Sequence, residues 1–367
     1  MTISFIAGLI LSVAALYFAF RNVPIIDLWN YLKSINYVWL IPSTLFVLIS
    51  FFLRAVRWRI ILESSRSIST WRAYHPMMIG FMINCVLPGR LGELARPIIL
   101  QKKERVPFTT GLATVAAERV FDICLLIFLF ILVIGVTQIN SDHNVTFGNY
   151  QLNRNTLDII FNGTWKLGIV LIVGIAIFSM GKIREFAYRM IRLIPNLFFF
   201  AGHKFKSAFG KKICEPVIRI LENIAQGFTL IKYPKRILLC VVFSLLIWGL
   251  QGFSYYLVSL GSPGINLSYF EIVAVMVIIC FFISLPSVPG WWGLWEAGGV
   301  FALSLFGVST KDAAGYTLAN HAIQVIPVII AGLASTMILS VNIRQMSLET
   351  KEYRQKHVQT SNTHIPQ

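Results

Sequence analysis

Between residues 84 and 96 the chain reads Asn-Cys-Val-Leu-Pro-Gly-Arg-Leu-Gly-Glu-Leu-Ala-Arg, which sets three charges and a helix-breaking Pro88-Gly89 pair inside an apolar region. Residues 285–299, Leu-Pro-Ser-Val-Pro-Gly-Trp-Trp-Gly-Leu-Trp-Glu-Ala-Gly-Gly, repeat this grammar: proline, then glycine, a further glycine, and glutamate soon after. Arg90 and Arg96 bring guanidinium groups, which bind phosphate oxygens two at a time. Glu93 and Glu296 hold comparable places in the two breaks, where a carboxylate can meet an ammonium headgroup, carry a proton or cap a helix end. A third group, Glu118, Arg119 and Asp122, has the three- and four-residue spacing that puts charges on one helical face and lets them neutralise one another in part. Asn320, His321 and Gln324 form a fourth, polar group. Arg54 and Arg57 read mostly as topology charges. Trp39, Trp58, Trp71 and Trp248 read as interfacial aromatics.

These groups belong to a membrane. The chain of 367 residues is 56% hydrophobic and 13% charged, with mean hydropathy +0.70, too apolar for a soluble domain of this size. Its formal charge of +16 would favour nucleic acid in a soluble protein. Here the basic residues lie between apolar runs, so they read as topology determinants and contacts to anionic lipid, and no nucleic acid partner is expected. Cys85, Cys124, Cys214, Cys240 and Cys280 are scattered, which indicates neither a disulfide framework nor a metal site. No His-Glu-x-x-His, Walker or Gly-x-Gly-x-x-Gly motif is present, so neither catalytic residues nor a cofactor are expected.

The first span is expected at residues 2–20 and is read as a retained helix. An interfacial connection covers 21–36 and a second span 37–58, followed by a basic loop that the positive-inside rule makes cytoplasmic. Residues 74–100 are apolar but broken at Pro88-Gly89 and basic at both ends, which predicts a re-entrant hairpin lining a cavity, with Gly92 helping to shape it. A span over 108–135 follows, with Glu118, Arg119 and Asp122 roughly 15 to 21 Å into a core about 30 Å thick. Residues 137–163 read as an external loop and 164–180 as a returning span. Between 181 and 236, twelve Lys and Arg face three Glu, and two stretches with helical apolar spacing, 183–194 and 217–228, predict amphipathic helices on the cytoplasmic face.

The second half begins with a span at 237–260. Residues 271–284 enter again and break at Pro286 and Pro289-Gly290, with Gly293 beyond, and an apolar helical pattern resumes over 291–306. A last span runs 311–341, with Asn320, His321 and Gln324 near mid-depth. The expected fold is all-α: a polytopic membrane protein of two inverted halves, each with a re-entrant broken-helix hairpin. Residues 1–341 form the membrane domain, divided as 1–136, 137–236 and 237–341, and 342–367 form a polar cytoplasmic tail. Both termini are expected in the cytoplasm, in the plasma membrane of a prokaryote.

In order along the chain, Asn84, Leu87-Pro88-Gly89-Arg90-Leu91-Gly92-Glu93 and Arg96, then Glu118-Arg119-Val120-Phe121-Asp122, then Pro286, Pro289-Gly290, Gly293 and Glu296 resemble the transmembrane region of lysylphosphatidylglycerol synthases. That region is the flippase half of bacterial multiple-peptide-resistance proteins, and it also occurs alone. The resemblance implies movement of a polar-headgroup lipid between leaflets: an aminoacylated or anionic phospholipid, or a polyprenyl phosphate. It does not imply aminoacyl transfer, which in two-part relatives belongs to a soluble domain after the membrane region; here about 26 residues follow Val341. The chain is therefore expected not to be an enzyme. One departure from the relatives is Trp291-Trp292, where they often carry a small residue. The alternatives are a membrane-embedded lipid-headgroup transferase and a non-transporting partner of a glycosyltransferase or lipid-synthesis enzyme that docks on the basic segment.

Overall fold

The computed structural model describes residues 2–21, 23–63, 66–87, 90–136, 145–147, 150–152, 181–197, 214–215, 218, 233–285 and 288–341. Pro88, Gly89, Pro286, the expected span at 164–180, nearly all of the second amphipathic stretch and the tail lie outside them. The regular structure among the described residues is helical apart from one two-stranded antiparallel hairpin, β1 (Val145–Phe147) with β2 (Tyr150–Leu152), in which Val145 faces Leu152 and Phe147 faces Tyr150. This hairpin falls where the sequence predicts only an external loop. It leaves the all-α class intact.

The helices are α1 (Thr2–Phe20), α2 (Ile25–Ser34), α3 (Leu40–Leu62), α4 (Thr70–Val86), α5 (Gly92–Glu104), α6 (Phe108–Val136), α7 (Gly181–Leu197), α8 (Pro234–Gly261), α9 (Tyr269–Ser284), α10 (Leu294–Ser304) and α11 (Thr310–Leu339). Their starts follow from local chemistry. Ser69 and Ser309 accept from the backbone N–H groups of Arg72 and Asp312, Ser268 and Glu271 form a reciprocal capping box, and Pro234 opens α8 where no amide hydrogen is needed. Among the described residues, three segments are long and apolar enough to cross a membrane: residues 37–62 (a short 3-10 turn running into α3), α8 and α11. The pair α1 and α2, bent by 76°, adds a fourth if it counts as one span. The 29 residues of α6 are as long, but its middle carries the three charges. On α7, Phe186, Met190, Leu193 and Ile194 are exposed, an apolar face with the spacing that suits a membrane surface.

The halves repeat one packing plan. Exchanging α3 with α8, the hairpin α4–α5 with α9–α10, and α6 with α11 maps the packed pairs onto one another: α4 against α11 becomes α9 against α6, and α5 against α6 becomes α10 against α11. The equivalent helices α3 and α8 pack together most extensively of all. They run antiparallel, because Ser43 meets Ser254, Ser50 meets Gln251 and Arg57 meets Ser244.

Each hairpin closes on glycine. In the first, Asn84 meets Gly92, Gly80 meets Arg96 and Arg72 meets Glu104, so α4 and α5 are antiparallel. A Cβ on Gly92 would lie 1.8 Å from the Gly80 carbonyl oxygen, so the two backbones touch. In the second, Phe282 packs against Gly298 and its ring lies 5.8 Å from that of Phe301. Gly293, at φ +89°, turns the chain into α10, where a Cβ would lie 2.2 Å from the Ser12 carbonyl oxygen of α1. The two tips meet: Arg90 Nη2 donates to the carbonyls of Ile283 and Ser284 at 2.8 and 3.0 Å, and Gly290 lies against the Cys85 carbonyl.

Candidate functional site

A polar stripe runs along α3. Ser43, Ser50, Arg54 and Arg57 are spaced by seven, four and three residues, which puts them on one face, and that face is turned to α8 and α6. Arg57, fully buried, donates through Nη2 to Asp122 Oδ1 at 2.8 Å and to Glu118 Oε1 at 3.3 Å, and through Nη1 to Ser244 Oγ at 2.6 Å. Arg96, from the first hairpin, donates to the second Glu118 oxygen at 2.7 Å. Arg54 lies 3.6 Å from Asp122 Oδ2, and Arg119 lies 3.5 Å from that oxygen and 3.8 Å from Glu118 Oε1. Trp248 Nε1 adds a donor to Asp122 Oδ1 at 3.3 Å.

Four guanidiniums thus converge on two carboxylates, all buried except Arg119, whose side chain is 34% exposed. Glu93, half-buried at the start of α5, acts electrostatically on Arg96 and Arg119 and lowers the surplus without removing it. Among the described residues, the Nε donors of Arg54, Arg57, Arg96 and Arg119 meet no hydrogen-bond partner. Aromatic rings cover the guanidinium faces: Trp58 and Phe81 against Arg96 at 4.4 and 5.4 Å, Trp248 and Phe51 against Arg54 at 5.3 and 5.7 Å. Guanidiniums so arranged have the chemistry to bind an anion with several acceptor oxygens, and Arg119 is the most exposed of the four.

A second constellation sits at the other hairpin. His321 on α11 is buried; its Nδ1 contacts Glu296 Oε1, and its Nε2 lies 2.8 Å from the Gly290 carbonyl oxygen at the tip. The other Glu296 oxygen accepts from Gly293 N at 2.7 Å. The rings of Trp295 and Trp292 lie on His321 at 4.6 Å, Trp295 almost parallel to it.

The residues singled out by sequence therefore divide. Arg96, Glu118, Arg119 and Asp122 come together, as do Glu296 and His321. Asn320 and Gln324 share a face as expected, but that face ties helices together: Gln324 bonds to Ser254, Asn320 and Gln251, and Gln251 accepts from Ser50. Asn84 caps the start of α5. Arg90 is held by carbonyls of the opposite hairpin, apart from Arg96, so the two arginines do not form one site. Two readings are corrected. Arg54 and Arg57 are core members of the cluster and not loop charges, because carboxylates on α6 reach them. Trp58 and Trp248 are buried with their N–H groups donating to Thr114 and Asp122, whereas Trp39 and Trp71 are exposed. The signal that would have found them is the polar stripe within an otherwise apolar span.

The family described as Lysylphosphatidylglycerol synthase TM region matches residues 5–332. A curated relative, "Glycosyltransferase AglD" of Haloferax volcanii, is 22% identical over 389 aligned positions, which cover 96% of this chain and 57% of that protein. The chain thus spans little more than half the length of this relative. No solved structure gives a significant match.

Proposed function

The chain belongs to the lysylphosphatidylglycerol synthase transmembrane family and is a multi-pass membrane protein; from this premise we propose that it moves lipids bearing a phosphate headgroup between leaflets. The observation that carries the reading is the surplus of positive charge in the Arg54, Arg57, Arg96 and Arg119 cluster. Charges at membrane depth are costly and tend to line pathways, and here the excess is of the sign that attracts anionic phosphate. The headgroup would enter past Arg119 while the acyl or prenyl chains stay in lipid. The antiparallel α3 and α8 and the exchangeable packing of the halves support an inverted repeat, with broken hairpins entering from opposite faces and meeting at their tips. The basic segment 181–236 favours cytoplasmic placement of that region, and of both termini, in a prokaryotic plasma membrane.

Reconstituted vesicles with labelled phosphatidylglycerol, aminoacylated phosphatidylglycerol and polyprenyl phosphate test this. Accelerated transbilayer movement of at least one, lost in Arg119→Gln with the fold retained, is the expected result. No acceleration for any of the three overturns it. A second reading has one observation behind it: the relative named a glycosyltransferase extends well beyond the matched region. On that reading the chain is the membrane module or partner of a lipid-headgroup transferase. Product formed by purified protein from a sugar donor and a polyprenyl phosphate, with no lipid movement, would favour it.

A further inference from the structure

The second hairpin carries a donor count that cannot balance without an extra proton. The Gly290 carbonyl can only accept, so His321 Nε2, facing it, must carry hydrogen. Glu296 Oε2 accepts from the Gly293 N–H, leaving Oε1 to face His321 Nδ1. If Glu296 is ionised and His321 neutral, Nδ1 is a bare lone pair pressed against a carboxylate oxygen. The contact is satisfied in two ways only: an imidazolium donates to a carboxylate, or a carboxylic acid donates to a neutral imidazole. Both hold one proton, and both leave the buried pair with no net charge, as burial favours.

The surroundings offer no substitute for that proton. Among the described residues no Lys or Arg pairs with Glu296. The ring of His321 lies between Trp295 and Trp292, and Tyr255 of α8 stacks on Trp295 at 6.3 Å. Tyr316, on α11, donates to the Tyr255 carbonyl, and both are ordinarily neutral groups. From α4 the tip meets the Cys85 carbonyl, and from α1 Ser12, whose hydroxyl accepts from Val288 N at 3.2 Å. The charge that the first hairpin brings here is Arg90, which donates to the α9 carbonyls and not to Glu296.

We propose that His321 and Glu296 form a one-proton binding site that latches the second hairpin tip, so that lipid movement is coupled to proton exchange at this pair. With the proton bound, α11 is tied through His321 to Gly290 at the tip and through Glu296 to Gly293 at the start of α10. When the proton leaves to water, the lone pair and the carboxylate repel, one of the two His321 contacts breaks, and the tip separates from α4. The latched form holds one more proton than the released form, so rising pH favours release. The inference rests on the lipid-movement reading for its consequence, but the latch itself can be read without any lipid movement.

The test uses the full chain with its cysteines replaced, Val288→Cys added, and reconstitution in phosphatidylethanolamine–phosphatidylglycerol vesicles. Glu296→Gln can still accept from Gly293 N and donate to Nδ1, but it does not titrate. The labelling rate of Val288→Cys by a charged maleimide, divided by the rate for the same cysteine with Glu296→Gln, cancels the titration of the thiol. Across about pH 5 to 9 this ratio should climb with pH, by at most about tenfold per unit, the limit for one proton. A flat ratio overturns the latch. His321→Gln, which lacks the imidazole half of the proton site, supplies a second reference should Glu296→Gln fail to fold. A proton gradient should accelerate lipid movement in the parent protein and not in Glu296→Gln; equal acceleration in both overturns the coupling. A climbing ratio with no lipid movement under any gradient leaves the proton site standing and removes the transport reading.

Discussion

The two hairpins share a sequence grammar and a packing plan, yet each does different chemistry with its carboxylate. Glu93 of the first is half-buried beside arginines that α3, α5 and α6 crowd together, and the region carries more positive than negative charge. Glu296 of the second is fully buried and paired with His321, whose ring lies against those of Trp295 and Trp292. Their partners explain the divergence. The first hairpin packs on α6, which supplies Glu118, Arg119 and Asp122, and the second packs on α11, which occupies the equivalent place and supplies Asn320 and His321. One packing plan therefore holds an arginine-rich cluster on one side and a buried Glu296–His321 pair on the other, the two places to which the proposals above assign anion attraction and proton binding.

The largest expected effect breaks the first centre. Glu118→Ala leaves Arg57 and Arg96 without their shared carboxylate, and unpaired buried charge should cost about 3–5 kcal/mol, read as a drop in Tm in detergent. A near-wild-type Tm would mean that the cluster is not dry. Next comes a contrast in packing. Gly92→Ala drives a methyl to 1.8 Å from a carbonyl oxygen of the backbone, whereas Gly298→Ala meets Phe282 Cγ and Cβ at 2.9 and 3.0 Å, an overlap that a shift of a few tenths of an ångström relieves. The first should lose about 1–3 kcal/mol and the second less, and equal losses would put the two hairpins on the same footing. Trp58→Phe keeps the ring under Arg96 but drops the bond to Thr114, for about 1 kcal/mol, while Trp71→Phe at the surface should leave Tm unchanged. For Arg90→Ala, which removes exposed bonds at the tip, only a small drop in Tm is expected. Because its bonds join the tips, lipid movement should still fall severalfold, and wild-type movement would remove tip-to-tip contact from the cycle.

Much of this was legible in order along the chain. Apolar length located α1, α3, α6, α8 and α11, and the Pro-Gly breaks located both hairpins to within a few residues: a proline followed by a glycine both removes an amide hydrogen and frees the backbone to turn, whereas the single prolines Pro76, Pro97 and Pro327 are carried inside helices. The all-α membrane class follows from composition in the same way. Helix equivalence between the halves was also readable, since each break follows a long apolar run.

The site was less legible, because burial of a charge depends on which helices touch. Arg54 and Arg57 look like the end of a span until α6 is laid against α3, when Asp122 and Glu118 arrive within bonding distance. Arg90 and Arg96 look like one phosphate clamp until the α4–α5 crossing sends Arg96 inward and leaves Arg90 at the tip. Glu296 and His321 are 25 residues apart, and no local pattern joins them. What the sequence determined by itself is local: where backbone hydrogen bonding can run along a helix and where it must stop. What only the tertiary structure decided is pairing, because the energy of a charge within the membrane is set by partners that lie far away in the chain.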